Sequence, residues 1–327
     1  MRGVRGWVPV VTLAFLAAVV AELVGSNNTP TIAFFNPLVA LLLMALYGPA
    51  ALLLREAWVR DRIGWPGVLA VGAAYCALNE GVVAATWFRD DFGTFSTEAL
   101  GRAGGVNWNL IVTLTVFHTF VSLVVPVVLA GLTFPDRATR PWLQRRGVLV
   151  CAGLIAFVGI TSALSDQNLD EAPEVAERER LVALAVALAL VGLAAVLPRW
   201  RPPVTDRAVW APARLLALGI AWSVAYFLLF FVLPRALPAA VIPVTVAFEV
   251  ATVALVVRVV GSRRWTPRHS LALVTGVLVP SMLGSLVRIA TLQPLSTVAF
   301  LVYLRWLRGR IAVTPEGSSR PPRTTPP

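Results

Sequence analysis

A carboxylate inside an apolar stretch is the first chemical feature of this sequence. The segment VGAAYCALNEGVVAATWF is mostly apolar but carries Asn79 and Glu80 side by side. Glu22, His118 and Glu249 interrupt three other apolar stretches in the same way. A charged side chain that faces lipid costs a few kcal/mol, so such residues usually face a partner or a polar interior. Carboxylates and imidazoles there bind and release protons, which is the chemistry of proton relays and of acid–base hydrolysis.

Helical spacing surrounds these groups with small or polar residues. Ala77 and Ala84 share a helix face with Glu80, and Ala18 shares one with Glu22, which allows neighbouring helices to approach closely. At about 1.5 Å per residue, the three glutamates and the histidine lie between the membrane midplane and its outer face. These patterns predict a polar interior shared by several helices. Polar stripes at helical spacing are Thr115, His118 and Ser122; Thr245, Glu249 and Thr252; and Ser281, Ser285 and Arg288.

Each of these residues also has a purely structural interpretation. In that interpretation Glu80 is a protonated or hydrogen-bonded residue that ties helices together. Glu22 lies near the membrane interface, which favours a structural role for it. His118 and Glu249 fit a structural or a proton-handling role. Arg288 either reaches the outer headgroups or is the nearest counter-ion for an outer carboxylate. The candidate substrate-binding or proton-binding residues are therefore Glu80, Asn79, His118, Glu22, Glu249 and Arg288.

The composition assigns the chain to the membrane. Hydrophobic residues make up 57% of it, charged residues only 14%, and the mean hydropathy is +0.77. These values exclude a soluble domain of this length. The net charge of +11 does not indicate nucleic-acid binding, because the basic residues lie in short loops between apolar stretches. The expected partners are the lipid bilayer and a small-molecule or ion substrate.

Ten apolar stretches approach the roughly 20 residues that a membrane-spanning helix needs. We therefore predict an all-α polytopic bundle of about ten spans, formed by residues 1–312, with a disordered tail over 313–327. The tenth span is the shortest, and the sixth, LVALAVALALVGLAAVL, is wholly apolar and is expected to face lipid. A ten-span drug and metabolite transporter fold fits this count. The predicted spans are 7–25, 36–54, 67–87, 109–132, 147–165, 181–197, 213–233, 239–257, 270–288 and 293–307.

The arginine distribution predicts the orientation. All 28 basic residues are arginines, and with the N-terminus inside, 22 of them fall in cytoplasmic segments and six in outer segments. Short cytoplasmic loops collect arginine, so both termini are expected in the cytoplasm of a bacterial cell, with the chain in the inner membrane. The first span also resembles a cleavable signal peptide in its basic start, apolar stretch and small residues.

No cofactor or metal site is predicted. Cys76 and Cys151 both fall inside spans and are expected to be free thiols. Neither His118 nor His269 has a cysteine or histidine at ligand spacing, and no glycine-rich phosphate loop or nucleophile elbow is present.

Two families share local motifs with this chain. The segments YCALNEGVV, GVNWN and VFHTF resemble an uncharacterised family of polytopic membrane proteins of actinobacterial type, over roughly the first 135 residues. The same region is similar to the CPBP glutamic intramembrane proteases, which resemble CAAX prenyl proteases. In that family a Glu-Glu pair activates water, assisted by Phe-x-x-x-His and His-x-x-x-Asn motifs. This chain has Asn79-Glu80 in place of the pair, Leu114 in place of the phenylalanine before His118, and no second histidine inside a span.

Transport is the preferred functional interpretation, and it requires no catalysis. Proton- or ion-coupled transporters use inward polar groups and broken helices, and prolines such as Pro49, Pro126 and Pro280 supply the breaks. The outer loop over residues 88–109 is long enough to cap a cavity that opens outward. The alternatives are a CPBP-like intramembrane protease and a structural or partner-binding membrane subunit without catalysis.

Overall fold

The computed structural model describes residues 6–26, 28–89, 101–164 and 177–313, and these residues form an all-α bundle, as predicted. A single short hairpin, β1 (Arg102–Ala103) and β2 (Val106–Asn107), is the exception in the described part. The ten long helices of the described residues are α1 Val8–Gly25, α2 Pro37–Val59, α3 Trp65–Val83, α4 Trp108–Thr133, α5 Arg145–Leu164, α6 Glu177–Val196, α7 Pro212–Ala236, α8 Val241–Val260, α9 Pro267–Ser285 and α10 Gln293–Val313.

These helices coincide with the ten predicted spans, but they do not all have the composition of a membrane span. The first eight are long and apolar enough to cross a membrane. Helix α9 carries Arg268 and His269 in its first turn, and α10 contains Arg305 and Arg308. Crossing by α9 and α10 therefore remains a prediction. The tail after residue 313 lies outside the described residues, as do the acidic positions 90–98 of the outer loop.

Proline and asparagine set the start of several helices. Proline occupies the first turn of α2, α7 and α9, where its missing N–H would have no helical partner anyway. The side chain of Asn36 accepts a hydrogen bond from the Leu38 amide at 3.0 Å, and that of Asn107 accepts one from the Leu110 amide at 3.1 Å. These caps satisfy amide groups that the first helical turn leaves unpaired.

Contacts between loops fall at two opposite ends of the bundle. At one end the Trp65 amide donates to the Trp200 carbonyl at 2.9 Å, and both residues belong to segments predicted to be cytoplasmic. At the other end the Thr31 amide donates to the side chain of Gln293 at 2.7 Å. Thr31 belongs to a predicted outer segment, and Gln293 begins the tenth predicted span at its outer end. The alternation of the predicted loops is thus consistent with the fold. Which end faces the cytoplasm remains a prediction.

A buried ion pair joins α2 to the segment between α4 and α5. Arg55 is 2% exposed, donates to carbonyls within residues 137–140 at 2.9 to 3.1 Å, and lies over the Trp142 ring at 3.4 Å from its centroid. Glu56 accepts from Arg55 and from Arg60, both at 3.0 Å, and from the Trp142 amide at 2.7 Å. We call this group the Arg55 clamp. It ties together two segments that the arginine count had assigned to ordinary loops.

Small residues bring the helices into close contact. A Cβ added at Gly72 of α3 would lie 2.0 Å from Thr119 Oγ1 of α4, so only glycine fits there. Helix α6 approaches α3 in the same way, because a Cβ at Gly81 would lie 2.6 Å from the Ala183 methyl. The expectation that the sixth span faces lipid is therefore wrong for its alanine face, where Ala183 and Ala187 are buried. Its other residues are largely exposed, which leaves one face of α6 for packing and the rest for lipid.

Candidate functional site

Glu80 and His118 form a buried pair between α3 and α4. The Nε2 atom of His118 lies 2.8 Å from Oε1 of Glu80, and the hydroxyl of Thr86 donates to Oε2 at 2.6 Å. His118 Nδ1 lies 3.1 Å from the Ser122 hydroxyl one turn further along α4. Glu80 is 8% exposed and His118 is 2% exposed. Both carboxylate oxygens and both ring nitrogens therefore have a polar neighbour away from water.

The Asn79 amide connects this pair to a tyrosine on α2. Its Nδ2 atom lies 3.2 Å from the Tyr47 hydroxyl and 3.4 Å from both Glu80 Oε1 and His118 Nε2. An amide nitrogen has only two hydrogens to donate, so the contacts at 3.4 Å are alternatives. Asn79 can therefore change partner when the protonation of Glu80 or His118 changes.

Tyr47 extends the polar chain to the second carboxylate. Its hydroxyl donates to Oε1 of Glu22 in a short hydrogen bond. The other oxygen, Oε2, accepts from Thr29 at 2.7 Å and from Asn28 at 3.4 Å. Hydrogen-bond distances thus link Glu22 on α1, through Tyr47 and Asn79, to Glu80 and His118. We call these five residues the Glu80 network.

The acidic, amide and imidazole residues of this network lie on widened helical turns. In α1 the last residues, Val19–Gly25, form a π-helix that contains Glu22. The same occurs in α3, where Ala77–Val83 contains Asn79 and Glu80. In α4 it occurs over Phe117–Val124, which contains His118. Such π segments shift the register of side chains along a helix and are frequent at functional sites. Pro126 follows the segment in α4 and removes one backbone donor there.

A reversal of the chain after α3 closes the site from one side. Ala85 has a φ of 53°, a left-handed conformation that costs a residue with a Cβ about 1–2 kcal/mol. The reversal places the Thr86 hydroxyl on the Glu80 carboxylate and the Trp87 amide 3.4 Å from the Glu80 carbonyl. Strain of this kind persists only where the surroundings enforce it, and it clusters at functional sites.

The short hairpin lies beside this reversal. The backbone amide of Asn107 donates to the Trp87 carbonyl at 2.8 Å, and the Arg102 side chain donates to the Phe88 carbonyl at 3.1 Å. Gly104 and Gly105 form its turn with φ values of 61° and 79°, which favour glycine. The described part of the predicted outer loop therefore packs against the end of α3 that carries Glu80.

Charge balance in the network depends on protons. Within the described residues, the side-chain partners of Glu22 and Glu80 are all neutral except for His118, which is charged only when protonated. A buried carboxylate without a counter-charge is costly. The Glu80–His118 pair is therefore balanced in charge either as two neutral groups or as an ion pair.

Aromatic rings surround the imidazole. The ring centroids of Tyr75, Phe117 and Tyr47 lie 5.4, 5.6 and 6.5 Å from that of His118. These rings exclude water from the pair and fix its orientation.

Two predicted site residues, Glu249 and Arg288, are not among the five residues of the Glu80 network. Glu249 on α8 is half-buried, and its Oε1 has no hydrogen-bond partner among the described residues. Arg288 is exposed just after the C-terminal end of α9. Its role as a counter-ion for an outer carboxylate stays a prediction. Tyr47, in contrast, was missed because a tyrosine in an apolar stretch carries no signal that distinguishes it from core packing.

Neither cysteine of the chain forms a disulfide bond. Cys76 and Cys151 are free and buried, as expected. In the part of the chain that the structure describes, no three side chains of His, Cys, Asp or Glu converge as a metal site would require. His269 instead caps the first turn of α9, where its Nδ1 accepts from the Thr266 amide at 3.0 Å. His269 therefore has a capping role and does not belong to the Glu80 network.

Comparison with known proteins identifies a family without a known activity. A family model described as "Uncharacterized membrane protein family" matches residues 11–316, which include almost all of the ten helices. The resemblance seen in the first 135 residues thus extends over most of the chain, and the match is not to the CPBP proteases. Searches of curated proteins and of solved structures gave no match. The chain belongs to this uncharacterised membrane protein family.

Proposed function

We propose that this chain is a proton-coupled transporter or permease of the bacterial cytoplasmic membrane, with Glu80 and His118 as its proton-binding pair. The observation that carries the proposal is the contact at 2.8 Å between these two side chains, buried among membrane helices. Ionisable residues inside membrane helices are rare and mark substrate or proton pathways. The proposal agrees with the three other polar residues that extend the pair across the bundle.

The network provides a direct route for a proton. Transfer from Glu80 Oε1 to His118 Nε2 changes the pair from two neutral groups to an ion pair, without moving either side chain far. Asn79 then shifts its donor between the Tyr47 hydroxyl and the pair, since it reaches both. Tyr47 in turn donates a hydrogen bond to Glu22, which lies on a different helix. A proton on one carboxylate thereby alters hydrogen bonds on four helices, which is the coupling that alternating access requires.

The intramembrane protease remains a second candidate because the same contact is suited to activating water. A carboxylate beside an imidazole is a competent general base. Two features argue against it: Asn79 replaces the second glutamate of the CPBP pair, and His269 caps a helix instead of joining the site. A protease is expected to lose cleavage of a membrane substrate in both Glu80→Gln and His118→Ala. The structural-subunit alternative predicts that neither variant changes any activity.

Proteoliposomes that contain a pH-sensitive dye test the transport proposal. A panel of amines, organic acids, sugars and inorganic ions is screened for uptake that changes the internal pH. We expect Glu80→Gln to lose at least tenfold in proton movement at matched protein levels while its folding is unchanged. The control is Asp61→Asn, the same acid-to-amide change at a side chain that is 74% exposed. Unchanged proton coupling in Glu80→Gln would remove Glu80 from the mechanism.

The proposed location and orientation have a separate test. Reporter fusions after Arg146, Arg201 and Arg310 are expected to give cytoplasmic signals, and a fusion within residues 166–177 an external one. The reason is the arginine excess of the loops assigned to the cytoplasm. An external signal after Arg310 alone means that α10 does not cross the membrane.

A further inference from the structure

Three polar side chains on α4 and α8 carry buried atoms that have no hydrogen-bond partner among the described residues. They are Asn109, for both amide atoms, Thr245 at its hydroxyl, and Glu249 at Oε1. Asn109 and Thr245 are each 1% exposed. Native proteins pair nearly all buried polar groups, so each exception requires an explanation such as a ligand. None of the three belongs to the Glu80 network.

Contacts with α7 show that these groups face one region. The Trp222 indole on α7 donates to the Thr252 hydroxyl on α8 at 2.8 Å and stacks on Phe248 at 5.7 Å. On the same face of α8, Glu249 lies about one helical turn and Thr245 about two turns from Thr252. The Thr245 hydroxyl and the Glu249 carboxylate therefore face the part of α7 that follows Trp222.

The corresponding face of α4 meets the same part of α7. Tyr226, one turn beyond Trp222, donates to the Thr113 carbonyl at 3.2 Å and stacks on Phe117 at 6.2 Å. Asn109 lies one further turn along this face of α4. It thus lies at the level of Phe230, which stacks on Tyr226 at 6.2 Å. The unpaired amide, hydroxyl and carboxylate occupy adjacent layers beside a column of aromatic rings.

An apolar cavity lies along the same helices. It has a volume of about 190 Å³ and is lined by residues of α3, α4, α7, α8 and α9 and by Trp265. Asn109, Thr245 and Glu249 are not among its lining residues, but Thr252 at one end of it lies about one helical turn from Glu249. Trp265 and Ser270 line the other end. The lining is almost entirely hydrophobic, so the cavity accepts an apolar group and not a hydrated ion.

We propose that this region binds an amphiphilic organic cation, with its ammonium or guanidinium group on Glu249 and its apolar body in the cavity. The cation supplies the missing charge and hydrogen-bond donors for Glu249 and Thr245. The assignment deepens the proposed transport function by naming its substrate class, and in that sense it rests on it. Binding itself requires no transport.

An anionic lipid is the competing occupant of the cavity. Arginines such as Arg263 and Arg264 precede Trp265 at the opposite end from Glu249, and a lipid headgroup would find them there. These arginines are already explained by the charge bias of cytoplasmic loops, and Arg263 pairs with Asp206 at 3.7 Å. Oε1 of Glu249, which has no hydrogen-bond partner among the described residues, has no such explanation, and a carboxylate disfavours an anion nearby.

Binding to the full-length protein in lipid nanodiscs tests the proposal. The probes are hexylammonium, uncharged hexanol and anionic hexanoate, which have chains of the same length. Binding of each is measured from the increase that it causes in the unfolding temperature of the protein. We expect hexylammonium to bind at least tenfold more tightly than hexanol or hexanoate. Shortening the probe to butylammonium should weaken binding about fourfold per methylene group, because the chain occupies an apolar cavity.

Variants assign the charge preference to Glu249. Glu249→Gln should bind hexylammonium and hexanol equally, whereas Asp61→Asn, the same kind of change at an exposed side chain, should keep the tenfold preference. Thr245→Val, which keeps the side-chain shape and the carboxylate, should weaken hexylammonium about fivefold and leave hexanol unchanged. Tighter binding of hexanoate, or a preference for hexylammonium that persists in Glu249→Gln, overturns the proposal. Because the nanodisc assay measures binding without transport, the cation-binding proposal and the proton-coupling proposal can each fail without the other.

Discussion

The Arg55 clamp and the Glu80 network are both buried polar groups on membrane helices, but their charges are balanced in different ways. In the clamp, the Glu56 carboxylate has two arginines within 3.0 Å, and the Arg55 guanidinium also donates to backbone carbonyls. In the network, the carboxylates of Glu22 and Glu80 accept from hydroxyl and amide groups and from one imidazole.

Under the proposed function, this difference separates a structural cluster from one that exchanges protons. An arginine carries a fixed positive charge, so the Glu56 carboxylate has permanent counter-ions. A histidine is either neutral or charged, so the Glu80 pair can be balanced as two neutral groups or as an ion pair. The clamp is therefore a permanent tie between α2 and the segment after α4. We propose that the network, in contrast, changes with its protons.

The same substitution in both clusters gives the largest expected contrast. Glu56→Gln removes the counter-ion of buried Arg55, and we expect a loss of about 3–5 kcal/mol in the free energy of unfolding. Glu80→Gln keeps the oxygen for Thr86 and offers its amide hydrogens to neutral His118, so the loss should be about 1 kcal/mol or less. Unfolding in a mild detergent, followed by circular dichroism, compares the two at matched concentration. Equal losses would mean that Glu80 is a fixed anion like Glu56.

Gly72→Ala should disturb the network while leaving the clamp intact. The new methyl group meets the Thr119 side chain at 2.0 Å, beside His118, and overpacking of this kind costs about 1–3 kcal/mol. Proton coupling should fall because α3 can no longer bring Glu80 to His118. Gly192→Ala is the control, since a Cβ there meets nothing within 4 Å. A crosslink between cysteines introduced at Ala77 and Thr115 checks the helix separation directly, and its efficiency should drop in Gly72→Ala.

The bundle was predictable from the sequence because crossing lipid demands long apolar stretches. The inward positions of Glu22, Glu80 and His118 were predictable for a related reason, since charged groups avoid lipid. Glu249 follows the same pattern but is not one of the five residues of the network, and the role of Arg288 stays a prediction. Spacing along one helix shows which face is polar, but not which faces of other helices lie opposite.

Features that depend on backbone geometry were not predictable. The π segments add a residue to a turn without any change in side-chain pattern, so they leave no periodic signal. Arg55 was counted as a loop arginine, although it is 2% exposed. Its role depends on the carbonyls of residues 137–140, which converge on its guanidinium group in the fold. Long-range partners of this kind are set by tertiary packing.

Tyr47→Phe tests whether the two carboxylates of the network communicate. The substitution removes the hydroxyl between Glu22 and Asn79 but keeps the ring that packs near His118. Glu22 retains Thr29 and Asn28 as donors, so the expected cost to stability is about 1 kcal/mol. A double-mutant cycle with Glu22→Gln measures the coupling. Strict additivity of the two changes would show that Tyr47 does not connect Glu22 to Glu80.

The smallest expected effect concerns the reversal that places Thr86 on Glu80. Ala85 holds a left-handed conformation, with a φ of 53°, that glycine adopts freely. Ala85→Gly therefore relieves strain in the folded state but adds entropy to the unfolded chain, and the net gain should be about 0.5 kcal/mol. Ala85→Val, with a branched side chain, should destabilise the protein by more than that and weaken proton coupling, because Thr86 is drawn away from the carboxylate. Thermal unfolding of both variants and of the wild type measures these changes in stability. A stabilising valine would show that the reversal is not enforced by the contacts around Glu80.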